Sequence, residues 1–335
     1  MKETSRWSVG IISTDLDLKN ERTVLIEFLK EKDFRVIAFE EPNFARSMNK
    51  EKNESCLEAF NEADIGIIII GNRYGDTQNG ISITHKEYKH MRALQKYTFV
   101  FVKKGVWNNY ENKQTKKTVN TAFFLEYISK EEEDFIIPFD DIPHLKRLLE
   151  GRLKNLSNTL IQNFLESQYS QLMNSKMIPA LSISIQKQIK DYFIEPKFEP
   201  DRDVMGKLIK SKKLYNFLLE PRVTRRILVR GDIGSGKSTL LYANYKKHYE
   251  AYRQNQNIKM PLYVSLRGKT KDYTLEQYFV ECFEKYYGMQ KYPLFELKSN
   301  TYVLYIDGLD EMNNIRTYGD ISEFLKSSFL NSLHL

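Results

Sequence analysis

A glycine-rich segment at residues 231–239 constrains the fold more than any other part of this chain. It reads Gly-Asp-Ile-Gly-Ser-Gly-Lys-Ser-Thr, it follows an apolar strand predicted for residues 226–230, and it opens a helix predicted for residues 238–247. A strand, a loop of this pattern and a helix together make a phosphate-binding loop, which belongs to α/β domains with parallel sheets. The segment therefore predicts a nucleotide site that takes ATP or GTP with Mg²⁺.

The loop residues have separate chemical tasks. Glycine is needed because the backbone N–H groups wrap the phosphates, where a Cβ would collide. We expect Lys237 to reach the β- and γ-phosphates and Ser238 to ligate Mg²⁺, with the helix N-terminus adding partial positive charge. The residues predicted to bind the nucleotide through this loop are Gly231, Gly234, Gly236, Lys237, Ser238 and Thr239.

A second apolar strand, predicted for residues 302–307, ends in Asp307. A buried strand of this kind, a Walker B strand, carries its aspartate to the carboxyl edge of the sheet, beside the metal that Ser238 would hold. Ser238 and Asp307 are therefore the predicted Mg²⁺ ligands. Asp310 and Glu311 follow, and one can orient the hydration shell of the metal while another polarises the attacking water as general base. Solvated loop acids are the alternative for these two.

These motifs resemble the NACHT family of STAND signal-transduction NTPases. The resemblance rests on the small residue after Asp307 with a further acid at 310, the Pro-apolar strand ending in Leu-Arg at 260–267, the helix start at 275–278 and the segment 192–196. It covers residues 190–335 and implies an ATP-dependent switch that forms a homo-oligomer on activation. The later sensor strand, the winged-helix region and the C-terminal repeats have no counterpart. We therefore expect residues 196–335 to be a truncated NACHT domain that hydrolyses ATP weakly, with a trigger, such as a phage component, sensed by the absent region.

The first part of the chain alternates short apolar strands with helical stretches. Continuous apolar strands in such an alternation predict a doubly wound parallel sheet. We expect this first α/β domain over residues 1–142, a helical connector over residues 143–195, where leucines recur at helical spacing, and the second doubly wound α/β domain after it. The predicted elements of the first domain are strands at 9–12, 34–38, 65–70 and 98–102 and helices at 16–29 and 56–63.

Three polar segments of the first domain follow its strands, and ligands of open α/β sheets bind beyond the carboxyl ends of strands. We therefore expect them to converge on one cleft. They resemble an uncharacterised TIR-like family that often stands at the N-terminus of NACHT proteins, with Ile12 replacing that family's first serine. The matching residues are Ser13, Thr14, Asp17, Leu18, Glu21, Arg22, Gly71, Arg73, Tyr74, Gly75, Ser82, Thr84, Glu87 and Tyr88.

The resemblance implies ligand binding by Ser13, Thr14, Arg73 and Tyr74, and it gives Glu87 the place of the glutamate in TIR domains that cleave NAD. The nicotinamide ring of NAD is already cationic and can leave without being protonated, so no general acid is needed. One carboxylate can then stabilise the oxocarbenium-like transition state. Two alternatives stay open. Glu87 could complete a helix-capping box with Thr84 as N-cap, or it could serve in non-catalytic assembly.

The other candidate residues of the first domain have ordinary interpretations. Arg22 and Arg73 are candidates for holding a phosphate, but acid–base pairs on an exposed helix would equally explain Asp17, Glu21 and Arg22. We expect His85 and His90 to be surface residues.

Composition narrows the function classes. The net charge of +7 is spread over scattered lysines, so nucleic-acid binding is not favoured. The longest strongly apolar run, residues 65–71, is far too short to span a membrane, no signal region is present, and two cysteines indicate neither disulfides nor zinc, so a cytoplasmic protein is expected. The domain pairing resembles prokaryotic antiphage immune proteins, which implies a TIR-like domain that cleaves NAD or a related nucleotide. The alternative is a non-catalytic TIR-like domain that self-associates or recruits a partner.

Overall fold

The computed structural model describes residues 7–41, 57–112, 119–130, 134–174, 236–255, 258–270, 272–287 and 302–312, with the single residues 320 and 324. The chain divides into two compact units, one mainly of Met1–Thr159 and the other mainly of the residues from Leu160 onward. No helix in these described ranges is both long enough and apolar enough to cross a bilayer.

A five-stranded parallel sheet forms the centre of the first unit, in the order β2-β1-β3-β6-β7. Its strands are β1 (Ser8–Ser13), β2 (Arg35–Ile37), β3 (Ile65–Ile70), β6 (Tyr97–Lys103) and β7 (Ile136–Phe139). A short antiparallel hairpin of β4 (Thr77–Gln78) and β5 (Ile81–Ser82) lies between β3 and β6 in sequence. The prediction of a parallel α/β sheet is confirmed for this unit, and the strand order is that of a doubly wound domain whose direction reverses between β1 and β3.

The central strand β3 explains why this sheet is covered on both faces. Its sequence, Ile-Gly-Ile-Ile-Ile-Ile, is buried at every position, and its bounds agree with the predicted 65–70. Since successive side chains point to opposite faces, both faces must be covered by other elements. Among the described residues of this unit, the helices that lie between strands include α1 (Lys19–Glu31), α2 (Ile83–Ala93), α3 (Lys104–Glu111) and α4 (Val119–Lys130).

On one face of the sheet, α2 and α4 contribute to a buried hydrophobic cluster with the strands. Tyr88 and Met91 of α2 and Phe124 of α4 belong to it, together with Ile68 and Ile70 of β3. Crossovers between parallel strands are right-handed. The connection from β1 to β2 and the connection from β3 to β6 move in opposite directions along the sheet, so α1 lies on the face opposite α2. The structure thus carries two layers of helices with the sheet between them.

The helix α1 begins three residues later than the predicted 16–29, at Lys19. Residues 15–18 form a turn instead, because the Asp17 carboxylate accepts hydrogen bonds from outside the helix. Leu18 takes the N-cap position without a side-chain cap.

A long helix, α5 (Ile142–Asn174), follows the sheet. Its first half packs in the first unit, where Leu145 and Leu149 are buried and Lys146 lies 5.0 Å from the ring centre of Phe28 in α1. Residues from Leu160 onward belong to the second unit. The remainder of the predicted connector, residues 175–195, lies outside the described residues.

The described part of the second unit holds α6 (Lys237–Gln254), β8 (Met260–Ser265), α7 (Leu275–Tyr287), β9 (Tyr302–Asp307) and a 3-10 turn (Leu309–Glu311). Strands β8 and β9 are parallel, with Ser265 opposite Asp307. The predicted strand at 226–230 lies outside the described residues, so the second doubly wound sheet stays a prediction.

Side-chain hydrogen bonds fix the elements of the second unit to one another. Thr274 and Gln277 make a reciprocal capping box at the start of α7, with distances of 2.8 and 3.1 Å. Gln168 of α5 is buried, and its amide bonds the backbone N–H and C=O of Tyr263 in β8 at 3.3 and 3.1 Å. The same amide bonds the hydroxyls of Tyr245 and Tyr278, so the second half of α5 is held to the sheet by a satisfied buried polar group.

Candidate functional site

The first candidate site lies at the carboxyl edge of the five-stranded sheet. Strand β1 ends at Ser13 opposite Ile69, and β3 ends at Ile70 opposite Val102 of β6. Because parallel strands end at the same edge, the segments after β1, β3 and β6 begin side by side there.

Asp17 joins the first two of these segments. One of its carboxylate oxygens accepts the hydroxyl of Thr14, and the other accepts the backbone N–H of Arg73 at 3.1 Å. A Cβ at Gly71 would collide with that second oxygen, so the close approach requires glycine. Asp17 and Gly71 therefore lock the two loops together.

Near Gly75, the segments that follow β1 and β3 meet the start of α2, and these are the three polar segments that the sequence predicted to converge. A Cβ built on it would lie 2.9 Å from Thr14 Cγ2, 3.8 Å from Ser82 Cβ and 4.0 Å from Thr84 Oγ1. Thr14 follows β1, Gly75 follows β3, and Ser82 and Thr84 stand at the start of α2. The expected convergence on one region is therefore present.

Arg22 is not a residue of an exposed helix surface, as one interpretation of the sequence had it. Its side chain is buried, pairs with the Glu40 carboxylate and donates to Ser13 Oγ at 2.8 Å and Ser13 O at 3.2 Å. Burial acts to raise the pKa of Glu40, but the hydrogen bond and charge of Arg22 outweigh it, and the net pKa is lowered. Arg22 thus fixes the end of β1 and is already matched by an anion.

The remaining predicted ligand residues of this domain differ in accessibility. Arg73 is exposed, and Ser13, Thr14 and Tyr74 are partly buried. Lys103 at the end of β6 forms an ion pair with Glu21 at 2.9 Å, which brings a third strand end to the same edge. The sequence analysis did not single out Lys103, although its position directly after the predicted strand 98–102 could have indicated it.

Glu87 lies on the second turn of α2 and is only 7% exposed. The capping-box interpretation is wrong, because Ser82 is the N-cap and its hydroxyl accepts the His85 N–H at 3.1 Å. Thr84 is consequently the second helical residue and Glu87 the fifth. The helix starts earlier than expected because the β4–β5 hairpin ends directly at Ser82. Thr84 and Glu87, three residues apart, lie on neighbouring turns of one helix face.

His85 is buried, at 2% exposed, and is not the expected surface residue. Its ring stacks on Phe124 at 4.4 Å between centres, and its Nδ1 lies 3.0 Å from the Tyr74 hydroxyl. Burial lowers the pKa of His85 to about 4, with a further contribution from the charge of Lys89. The imidazole is therefore neutral at pH 7 and fixes Tyr74 at the edge of the converged segments.

The second candidate site is built from the start of α6 and the end of β9. Gly236 is the N-cap of α6 in a left-handed conformation, with φ of +87°, and Lys237 and Ser238 are the first two helical residues. Gly231 and Gly234 of the predicted loop lie outside the described residues, whereas Gly236, Lys237, Ser238 and Thr239 lie inside them.

The Ser238 hydroxyl donates to Asp307 Oδ1 at 2.8 Å, across 69 residues of sequence. Asp307 is buried at the end of β9, and its other oxygen accepts the Tyr263 hydroxyl at 3.1 Å and Arg267 Nη2 at 3.2 Å. Burial, followed by the charge of Asp307, raises the pKa of Tyr263. The two predicted metal ligands are thus in direct contact.

Mg²⁺ fits these donors, because it prefers oxygen ligands and usually takes one or two from the protein, with waters and phosphates completing the set. Within the described ranges, no group of three or more His, Cys, Asp or Glu side chains is arranged to hold a metal ion. A site made of Ser238, Asp307 and nucleotide phosphates does not need one. Glu311, a predicted catalytic acid, is exposed and lies 3.3 Å from Arg267 Nε, while the side chain of Asp310 lies outside the described residues.

Arg267 is a further residue of this candidate site, which the sequence indicated only as part of a strand motif. It contacts Ser238, Asp307 and Glu311 together, and its position two residues after β8 was the signal that could have assigned it to the site.

Comparison with known proteins bears on the first unit. No curated protein matches the chain. Residues 9–154, which include all five strands of the sheet from Val9 onward and the start of α5, match a family described only as a domain of unknown function (DUF4062). The N-terminal part of this chain is therefore a DUF4062 domain.

Proposed function

We propose that the second unit binds ATP or GTP with Mg²⁺ and acts as a nucleotide-controlled switch for the DUF4062 domain. The observation that carries this proposal is the contact between Ser238 Oγ and Asp307 Oδ1 at 2.8 Å. Two motifs that each suggested a metal ligand from sequence meet at a helix N-terminus, where backbone N–H groups and the helix dipole favour phosphate.

The chain's own residues have distinct tasks in this proposal. Lys237 neutralises the β- and γ-phosphates, and Ser238 and Asp307 hold the metal, which when bound supplies positive charge to the phosphates. Asp310 and Glu311 orient the water that attacks the terminal phosphate. Since Glu311 is paired with Arg267, its freedom to do so depends on that arginine.

The finer parts of the proposal come from the resemblance to NACHT proteins. On that basis, residues 196–335 are the first part of a doubly wound P-loop NTPase domain, and nucleotide exchange drives homo-oligomer formation after a trigger is sensed. A prokaryotic antiphage role follows from the same resemblance.

Nucleotide binding by the purified chain tests the proposal. We expect Mg²⁺-dependent binding of ATP or GTP by calorimetry, and a loss of about 100-fold or more in Lys237→Ala, because the lysine meets two phosphates. Lys247→Ala, which removes an exposed lysine from the same helix, is the matched control and should bind normally. Binding that is absent, or equal in the two variants, would contradict the proposal.

A second candidate function is NAD cleavage by the DUF4062 domain. The observation that favours it is the meeting of Thr14, Gly75 and Thr84 beside the helix that carries the buried Glu87. A carboxylate shielded from water interacts strongly with positive charge that develops on a ribose. The alternative is a non-catalytic domain that self-associates or recruits a partner.

Glu87→Gln separates these two functions. We expect the substitution to lower the rate of NAD hydrolysis, measured by mass spectrometry, by about 100-fold or more, because loss of one group that stabilises transition-state charge typically costs about 10²- to 10³-fold. Oligomer size in the presence of ATP should stay unchanged. Glu126→Gln, which removes an exposed carboxylate of α4, is the control. If the unsubstituted chain assembles but leaves NAD intact, the scaffold function is the correct one.

A further inference from the structure

Arg267 stands in a segment that is clamped to the end of β9 by backbone hydrogen bonds. The N–H of Leu266 donates to Asp307 O at 2.8 Å, and the N–H of Gly268 donates to Glu311 O at 3.3 Å. The residues after β8 therefore follow the residues after β9 at close range, with Arg267 between the two bonds.

Gly308 makes this approach possible. Its φ is +76°, and a Cβ there would lie 2.6 Å from Arg267 Cγ and 3.1 Å from the Arg267 backbone nitrogen. A contact under 3.0 Å is too short for a real Cβ, and the second neighbour is backbone that cannot turn aside. The small residue after the Walker B aspartate thus has a local reason, namely room for the backbone and stem of Arg267.

The guanidinium of Arg267 reaches three groups of the nucleotide site. Nη2 lies 3.2 Å from Ser238 Oγ and 3.2 Å from Asp307 Oδ2, and Nε lies 3.3 Å from Glu311 Oε1. The side chain is nevertheless 42% exposed. Two carboxylates therefore orient a planar group of donors that still has an open side.

We propose that Arg267 recognises the terminal phosphate of the bound nucleotide and makes the site prefer a nucleoside triphosphate over a diphosphate. This inference rests on the proposed nucleotide site. In such a site Ser238 would help to hold the metal, which would supply positive charge at the terminal phosphates. A donor that touches the Ser238 hydroxyl lies at the phosphate end of the ligand, away from the base and ribose.

Arginine suits this task for geometric reasons. Its guanidinium has five N–H donors in a rigid fork that matches phosphate oxygens, whereas lysine offers one compact charge. Asp307 and Glu311 hold the fork in position before the ligand arrives, which reduces the entropy lost on binding. When the terminal phosphate attracts the fork, Glu311 loses an ion-pair partner, and this links recognition of the third phosphate to the acid that the proposed hydrolysis requires.

Affinities for two ligands, a non-hydrolysable ATP analogue and ADP, test the inference on the full chain with Mg²⁺. We expect Arg267→Gln to weaken the ATP analogue about 10- to 100-fold more than ADP, the range for lost charge-assisted hydrogen bonds. Arg267→Lys keeps the charge and the stem, so it should give an intermediate loss of the same preference. Arg253→Gln, which removes an exposed arginine of α6 3.9 Å from Glu166, is the control and should keep the original ratio.

Each other result has a definite meaning. Equal weakening of the two ligands in both Arg267 variants, or no weakening, overturns the inference and leaves Arg267 as a structural partner of Asp307. Should Arg267→Gln not fold, as judged by circular dichroism, the ratio in Arg267→Lys decides. If the unsubstituted chain binds neither these two ligands nor the corresponding guanine nucleotides in a Lys237-dependent manner, the proposed nucleotide site itself fails, which is distinguishable from failure of the arginine alone.

Discussion

Two aspartates at strand ends, one in each unit, show how differently similar sequence signals can be used. Asp17 follows β1 and Asp307 ends β9, and each accepts hydrogen bonds on both of its oxygens. The partners of Asp17 are a neighbouring threonine and the backbone N–H of Arg73, so this carboxylate connects two loops. The partners of Asp307 are side chains of Ser238, Tyr263 and Arg267, which converge on the start of a helix.

The difference teaches that the chemistry of the partners separates a structural acid from one that is ready for a ligand. A carboxylate that satisfies backbone N–H groups cannot be withdrawn without leaving those groups unpaired, which costs free energy. Hydroxyls and a guanidinium can turn toward an incoming metal or phosphate. We therefore infer that Asp17 is a structural residue, whereas the contacts of Asp307 are compatible with the proposed nucleotide site.

The largest expected effect is a contrast between Asp307→Ala and Asp17→Ala. We expect Asp307→Ala to weaken Mg²⁺-dependent nucleotide binding by at least about 100-fold, since even partners of metal ligands are commonly worth about 10- to 100-fold. Asp17→Ala should leave that binding unchanged and lower the free energy of unfolding by about 1 kcal/mol, because the hydrogen bonds of Asp17 to the Thr14 hydroxyl and the exposed Arg73 N–H are lost. Calorimetry and urea unfolding measure the two quantities.

Two results would contradict this contrast between Asp307 and Asp17. Nucleotide binding that survives Asp307→Ala would mean that Asp307 is also structural. An Asp17→Ala variant of full stability that lost NAD hydrolysis would mean that Asp17 belongs to the ligand site of the first domain.

The next effect concerns two buried histidines, one in each unit. Burial lowers the pKa of His85 and of His248 to about 4, from the usual 6.5. Between pH 6.5 and 4 these histidines bind protons in the unfolded chain but not in the folded chain. The free energy of unfolding is therefore unaffected by them above pH 6.5 and decreases as the pH falls toward 4. The loss amounts to roughly 3 kcal/mol for each histidine, at about 1.4 kcal/mol per pKa unit.

Variants separate the two histidines. Both tryptophans of the chain, Trp7 and Trp107, lie in the first unit, so their fluorescence during urea unfolding follows that unit. We expect His85→Phe to flatten the dependence of this transition on pH between 6.5 and 4. His248→Gln should leave the transition unchanged. An unaltered pH dependence in His85→Phe would show that other groups, such as Glu40, govern acid unfolding.

Sequence patterns sufficed for strands whose burial depends on local periodicity. The apolar run 65–70 is a strand with the predicted bounds, and the strand 302–307 ends at Asp307 as expected. A run of isoleucines has few other ways to be buried. The parallel sheet of the first unit followed from the same alternation.

Features that depend on contacts distant in sequence could not be predicted. Ser82 caps α2 because a hairpin ends there, Arg22 is buried because Glu40 comes from beyond β2, and Gln168 serves the backbone of a strand 95 residues later. Each of these residue types is usually exposed, so composition and spacing gave no indication of burial.

Substitutions of two glycines, Gly75 and Gly80, should have smaller effects on the free energy of unfolding of the first domain. Gly75 and Gly80 both have positive φ, of +90° and +80°, but only Gly75 has neighbours where a Cβ would stand, the nearest at 2.9 Å on Thr14. We expect Gly80→Ala to cost about 1 kcal/mol from backbone strain alone and Gly75→Ala about 1–2 kcal/mol more. Equal losses in tryptophan-monitored unfolding would mean that the three segments are looser than their contacts suggest.

The smallest expected effect is that of the ion pair between Lys32, the C-cap residue of α1, and Glu150 in α5. The hydrogen bond and charge of Lys32 lower the pKa of Glu150, so the pair contributes above the usual carboxyl range and is lost as the pH falls below it. Both side chains are exposed, and a double-mutant cycle of Lys32→Met and Glu150→Gln should therefore give a coupling below about 1 kcal/mol that declines in high salt. A coupling well above that value would mean that α5 is held to α1 by this pair. The structure assigns that task instead to buried residues such as Leu145 and Leu149.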